Sequence, residues 1–380
     1  MAPKLRFNET KNTTYSTVTL GDVVQSISSG RSKDCVENGN YKFYGSTGII
    51  GFRSTADYEG TAILIARVGA NAGSLYMVNG KYNVSDNTLI VSADSQFTNY
   101  LYFYLSAINL NKLVYGSGQP LITGSMLKNL KIEIPGTKEQ IKIADFLTSV
   151  DEKITLLNKQ YDLLCQYKKG MMQKFFSQEL RFKDDNENSF PQWSILQLKD
   201  IAIRVTRKNK ENNNTILTIS GKDGLVDQMT YFNKQIASKN VTGYFLIKKG
   251  EFAYNKSYSQ GYPMGAIKML SNYEKGVVST LYICFKLNDE QSCGFYKHYF
   301  ESGLQNRAIE KVAQEGARNH GLLNIGVNDF FDIELQVPSL AEQDKIAHFL
   351  SAIEDKIAIK RAELDMLKNW KQGLLQQMFV

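Results

Sequence analysis

The sequence is short of the residues that build disulfide scaffolds, metal centres and membrane spans. Its four cysteines, Cys35, Cys165, Cys284 and Cys293, form no C-x-x-C pair, which argues against a disulfide framework or structural zinc and fits a reducing compartment. All four are expected to be buried or half-buried thiols. The three histidines, His298, His320 and His348, lack ligand or triad spacing, so no metal site is expected. The six prolines are scattered singly. The most apolar stretches, around 61–66 and 88–92, are six residues or shorter, against roughly 20 for a membrane span. The N-terminal residues show no charged-then-apolar signal pattern, so no membrane association and a cytoplasmic location are expected.

What is present is length enough for two or three cores, 380 residues with 43% hydrophobic and 22% charged side chains. The net charge of +7 permits a polyanionic partner without demanding one. It is not spread evenly: residues 1–134 carry 12 basic and 9 acidic side chains and 190–337 carry 18 and 14, whereas 135–189 and 338–380 are balanced.

An internal repeat organises the chain. Pro135, Glu139, Gln140, Lys142, Ile143, Ala144, Phe146, Leu147, Lys153, Ile154, Lys168 and Gly170 recur at a constant offset of 203 as Pro338, Glu342, Gln343, Lys345, Ile346, Ala347, Phe349, Leu350, Lys356, Ile357, Lys371 and Gly373. Within each copy a seam steps by 3 and 4: Leu147, Val150, Ile154, Leu157, Tyr161, Leu164, Lys168, Met171, Phe175, and then Leu350, Ile353, Ile357, Lys360, Leu364, Leu367, Lys371, Leu374, Met378. That is the 3.5-residue period of a coiled coil, and the leading proline and acidic first turn mark a helix start. About 40 residues at 1.5 Å each make a rod of roughly 60 Å.

The intervening segments are rich in Tyr, Phe, Gly and Asn, with short β-prone runs such as 62–65, 74–78, 87–91, 215–219, 244–247 and 281–285. They open alike, Val18 to Val23 resembling Leu196 to Ile201, and end alike, Leu130 to Pro135 resembling Phe331 to Leu335. Between these ends they diverge, which suggests one fold that reads two different things. The polar stretch 183–189 reads as a loose boundary between the halves. The expected class is α+β: globules at 1–134 and 183–335, helical spacers at 135–182 and 336–380, the helices pairing as an antiparallel coiled coil about a pseudo-two-fold repeat.

This layout, with Pro-x-x-x-Glu-Gln opening each helix and Phe190-Pro191-Gln192-Trp193 leading into the second globule, resembles the DNA-specificity subunit of Type I restriction-modification systems over nearly the whole chain. The resemblance implies that each globule is a target-recognition domain for one half of a split double-stranded DNA site, and that the helices set the gap. It implies two methyltransferase subunits as partners, with two restriction-translocation subunits in the full complex. Independently of the family, two tandem modules can imitate a dimer's two-fold axis within one chain and address two half-sites.

Enzymatic alternatives fail on missing parts. An adenine methyltransferase needs an Asn/Asp-Pro-Pro-aromatic loop, and no two prolines are adjacent. A translocase needs a G-x-x-x-x-G-K-S/T loop; Ser220-Gly221-Lys222-Asp223-Gly224 lacks the upstream glycine and the final hydroxyl and reads as a turn. The chain is therefore expected to be a non-catalytic subunit; the resemblance implies that it binds no cofactor itself and that S-adenosylmethionine, ATP and Mg sit on its partners. A coiled-coil scaffold without DNA binding remains the alternative; it accounts for the helices and leaves the basic, loop-rich globules unexplained.

Base edges are read by Arg, Lys, Asn, Gln and hydroxyl side chains on exposed loops. The candidates are Arg31, Lys33, Ser46, Arg67, Asn71 and Gln119 in the first globule, and Arg207, Lys208, Lys222, Asn255, Lys256, Gln260, Arg318 and Asn319 in the second. Glu139, Lys142 and Lys153, with Glu342, Lys345 and Lys356, match between copies without being seam positions. They are expected on outer faces that dock the two methyltransferase subunits.

Overall fold

The computed structural model describes residues 3–10, 13–113, 120–221, 223–232, 241–313 and 323–379. Its contacts divide into two compact units, Met1–Gln160 with Lys360–Val380, and Tyr161–Ile359. Each unit therefore holds one globule, the first part of one long helix and the last part of the other.

The first unit contains strands β1 (Ser16–Thr19), β2 (Ser26–Ser29), β3 (Tyr41–Gly45), β4 (Gly48–Arg53), β5 (Tyr58–Glu59), β6 (Ala62–Ala66), β7 (Leu75–Val78), β8 (Lys81–Val84), β9 (Thr88–Ser92) and β10 (Lys131–Ile134), with short helices α1 (Leu20–Val23), α2 (Ser95–Ala107) and α3 (Gly124–Lys128). The helix α4 (Thr137–Phe176) follows. The second unit contains β11 (Ser194–Gln197), β12 (Ala202–Arg204), β13 (Leu217–Ser220), β14 (Gly224–Asp227), β15 (Phe245–Lys248), β16 (Phe252–Asn255), β17 (Ala266–Met269), β18 (Lys275–Val278), β19 (Ile283–Leu287) and β20 (Glu334–Val337). Its helices are α5 (Leu198–Ile201), α6 (Gln228–Phe232), α7 (Cys293–Ser302), α8 (Asn306–Val312) and α9 (Val327–Phe331), before α10 (Leu340–Phe379).

One plan serves both globules. The main sheet runs β2-β9-β6-β7 in the first and β12-β19-β16-β17 in the second, and a two-stranded ribbon, β1-β10 or β11-β20, ties each globule's beginning to its end. The run Ala62–Ala66 is buried at every position, as a strand covered on both faces requires. The ribbon corrects one expected match: Leu20 N donates to Leu130 O, and Leu198 N to Ile333 O, so Leu130 corresponds to Ile333 rather than Phe331.

The seam is as the period predicts, since each of its eighteen positions is buried or half-buried. The pairing is antiparallel within each unit. Lys371 on α10 pairs with Asp151 on α4 at 2.6 Å in the first unit, and Lys168 on α4 pairs with Glu354 on α10 at 3.0 Å in the second. These are the same pair twice, because Lys168 and Asp151 become Lys371 and Glu354 at the 203-residue offset. Lysine at a seam position thus fixes register, a common use of buried polar groups in coiled coils.

The helix-opening motif is a clasp that holds the start of each globule. Gln140 Nε2 donates to Pro135 O at 2.7 Å, and Gln343 Nε2 to Pro338 O at 3.0 Å, satisfying a carbonyl buried at the helix entry. Glu139 accepts from Arg6 Nε and Nη2 at 2.9 and 2.6 Å; Glu342 accepts from Arg181 Nε and Nη2 at 3.0 and 2.7 Å. One step along, Lys142 pairs with Glu9, and Lys345 with Asp185 at 2.7 Å.

Two expectations are corrected here. The stretch 183–189 is not loose: Lys183 and Ser189 form a β-bridge, and Asp184 caps the enclosed turn through the Asn186 and Asn188 amides. Cys35 is exposed rather than buried, because it precedes Val36, which bridges to Phe52 on the edge strand β4.

Candidate nucleic-acid interface

In the first globule three of the predicted residues converge on one turn, Ser85–Asn87, between β8 and β9. Gly30 N donates to Thr88 O at 2.9 Å and Ser32 N to Val84 O at 2.9 Å, which lays Arg31 beside the turn. Only glycine fits at position 30, since a Cβ there would come within 2.3 Å of Ser85 O. Ser46 Oγ donates to Asn87 O at 2.8 Å, and Arg67 N donates to the same carbonyl at 2.9 Å. The Arg67 guanidinium is half-buried, 3.4 Å from Ser29 Oγ through Nη1, and its Nε lacks a partner. Arg31, Lys33 and Asn71 are exposed. Gln119 lies outside the described residues.

The second globule places a cation at the matching point of its main sheet. Strand register makes Lys256 the counterpart of Arg67: Ile65 pairs with Leu89 as Tyr254 pairs with Ile283, and each cation stands two residues beyond. The backbone agrees, Ile122 N donating to Arg67 O at 2.9 Å and Leu323 N to Lys256 O at 3.0 Å. Lys256 Nζ is 3.4 Å from Ile325 O, Asn255 Oδ1 accepts from Ser257 N at 3.1 Å, and Gln260 is exposed. Lys208 lies over the Phe245 ring at 4.4 Å and donates to Gly243 O at 2.8 Å. Lys222, Arg318 and Asn319 lie outside the described residues.

Arg207 departs from its expected role. It donates to buried Glu251 through two contacts of 2.9 and 3.2 Å and to Leu246 O at 3.0 Å. Glu251 also accepts from Lys248 N at 2.8 Å, so Arg207 neutralises an interior carboxylate and braces two strand ends.

The helix residues also divide. Glu139 and Glu342 are 1% and 0% exposed inside the clasps, so the expected outer face does not include these two, while half-buried Lys142 and Lys345 pair with Glu9 and Asp185 of the lead-in segments. Lys153 and Lys356 are exposed as expected. Sequence reasoning missed the apolar residues on the same flank. The first unit exposes Leu156, Met366 and Trp370, and the second exposes Ile359, Leu163 and Tyr167, the same trio at the 203-residue offset. Leu156 and Met366 each stand two residues past a seam position, and the antiparallel register makes them level, as it does Ile359 and Leu163. Trp370 meets Phe146 edge-on at 6.0 Å, across this flank.

Where the α7 helix packs on the helix pair, Glu354 is shared by Lys168 and Lys297. Burial would raise the Glu354 carboxyl, but the hydrogen bond and charge of Lys297, with the charge of Lys168, hold it down at about 2. Adjacent His298 is buried with Nε2 3.2 Å from Ser351 Oγ; burial first, then Lys168, lowers it to about 4. Among the described residues no group of three or more His, Cys, Asp or Glu is placed to hold a metal, and no helix is long and apolar enough to cross a membrane.

Comparison with known proteins agrees with this architecture. The family model described as the Type I restriction modification DNA specificity domain matches residues 12–166 and again 190–369. The chain is 26% identical over 342 residues to the Type I restriction enzyme MjaVIII specificity subunit of Methanocaldococcus jannaschii, covering 82% of this chain and 77% of that one. It is 30% identical over 112 residues to the EcoprrI specificity subunit of Escherichia coli, covering 29% and 28%. In fold it is similar to the S subunit of a Type-I restriction-modification system from M. genitalium, with TM-score 0.66, 17% identity, and coverage of 100% and 99%. Two clasped helices, two globules on one plan and a family match in each half lead to one statement: this chain belongs to the Type I restriction-modification DNA specificity family.

Proposed function

We propose that this chain is the DNA-reading subunit of a Type I complex, in which the first globule reads one half of a split site, the second reads the other, and the paired helices set the unread gap. The observation that carries the reading is the placing of Arg67 and Lys256 at one register position of two sheets, within surroundings that otherwise differ. Cations at equivalent places suit the phosphates that any sequence offers, while divergent loops suit different bases. The chain itself does no chemistry in this reading; S-adenosylmethionine, ATP and Mg belong to partner subunits.

Two methyltransferase subunits would dock on the matched flanks. A partner present in two equal copies needs the same surface twice, and exposed Leu156, Met366 and Trp370 recur as Ile359, Leu163 and Tyr167. Lys153 and Lys356 border these patches and supply matched charge. Leu163→Glu with Met366→Glu is expected to abolish co-elution with the methyltransferase while leaving the melting temperature unchanged; an intact complex would refute this docking face.

The test of the whole reading is a methylation map of DNA from cells carrying this chain with and without its methyltransferase. A new split adenine motif present only with both chains is expected. No motif, with a partner shown to be active beside another specificity chain, would leave the scaffold reading standing.

A further inference from the structure

The turn that gathers the predicted residues of the first globule has a counterpart in the second, and the two differ in the chemistry they present. Strand pairing aligns Leu89 with Ile283, so Ser85, Asp86 and Asn87 correspond to Ser279, Thr280 and Leu281. The turns are closed by the same bond, Thr88 N to Ser85 O at 3.2 Å and Tyr282 N to Ser279 O at 3.1 Å. In the second, Leu281 N also lies 3.3 Å from Ser279 Oγ. The backbone is therefore held alike while the outward residues change from Asp86 and Asn87 to Thr280 and Leu281, all four exposed.

Leu281 is 67% exposed, more than any other large apolar side chain among the described residues of either globule. It belongs to the turn that in the first globule sits against the arginine equivalent to Lys256. An amide such as Asn87 can exchange paired hydrogen bonds with an adenine edge; a leucine cannot, and its favourable contact on a major-groove base edge is the 5-methyl group of thymine.

We propose, resting on the reading that each globule addresses one half-site, that this turn is a specificity-determining contact, polar at Asn87 in the first globule and apolar at Leu281 in the second, where it takes a thymine methyl. The first globule thus reads hydrogen-bonding edges at this place and the second reads a methyl group.

The experiment uses the assembled complex and DNA duplexes carrying the mapped site, with each thymine of the second half-site replaced in turn by uracil, which lacks only the methyl. For the wild-type complex one replacement is expected to weaken binding about 10-fold, the scale of a single apolar group in a recognition pocket. Leu281→Ala is expected to bind the thymine site about 10-fold more weakly and to be indifferent to that same replacement. The first half-site should be unaffected. Equal responses of the two proteins to uracil at every position, with specific binding intact, would overturn the proposal and leave the half-site reading in place. Absence of any sequence-specific binding by the complex would overturn both. The side chain stands clear of the core, so a matching melting temperature separates a lost contact from a lost fold.

Discussion

Arg181 closes on Glu342 through two hydrogen bonds of 3.0 and 2.7 Å, the arginine in the lead-in to the second globule and the carboxylate at the head of the helix that follows it. The carboxylate is wholly buried, so removing its partner would strand a charge. Arg181→Ala is expected to lower stability by about 3 kcal/mol, seen as a lower denaturant midpoint, and Arg6→Ala to do the same through Glu139. Replacing Arg181 and Glu342 together by methionine and leucine should cost less than either single change. A double replacement as damaging as the singles combined would contradict the clasp.

Arg67 and Lys256 offer a paired test. If both meet phosphates, Arg67→Ala and Lys256→Ala should each reduce the salt dependence of DNA binding by about one counterion. The measurement is the slope of log affinity against log salt for the assembled complex. Arg207→Ala, by contrast, is expected to lower stability with the salt slope unchanged, because its charge is spent on Glu251.

His298 makes the second unit sensitive to acid. Its folded value of about 4 lies below the ordinary 6.5, so the unfolded chain takes up the proton first. Stability is then full above about pH 6.5 and falls as pH drops towards 4, by about 3 kcal/mol in total. Glu354 adds a separate loss below pH 4.5, as its own value of about 2 is approached. The equivalent position in the first unit is Phe103, identified by the neighbouring tyrosines: Tyr104 OH accepts from Glu133 N at 3.1 Å, and Tyr299 takes the matching bond from Gln336. His298→Phe should flatten the pH profile of urea unfolding between 6.5 and 4; an unchanged profile would refute the assignment.

Much of the fold was legible because the repeat is exact where it is structural. The seam residues and the constant offset of 203 define both helices and their pairing, and the apolar runs mark the strands. What identity between copies cannot reveal is where the shared constraint lies. Glu139 and Glu342 match because each clasps an arginine inside its own unit, and the partner of each stands more than a hundred residues away in the sequence. Arg207 reads as one cation in a basic loop until Glu251, 44 residues on, is found beside it. The turn at Ser85–Asn87 is hidden in the sequence for the opposite reason. It shares only its serine with Ser279–Leu281, and only strand register reveals the equivalence.

The two compact units differ in how their sequence is gathered. The second is one uninterrupted stretch, Tyr161–Ile359, whereas the first needs Lys360–Val380 to be complete. Leu374 and Met378 lie in one cluster with Leu147, Val150, Tyr100 and Phe103, and Leu5 N donates to Gln377 O at 2.9 Å. During synthesis the second unit can close as soon as its own residues have emerged, while the first must wait, with that apolar surface open, until the last helix has left the ribosome. Chaperone dependence should therefore fall on the half of the protein that is made first, and a chain cut after Ile359 should aggregate through its N-terminal globule while its other half remains folded.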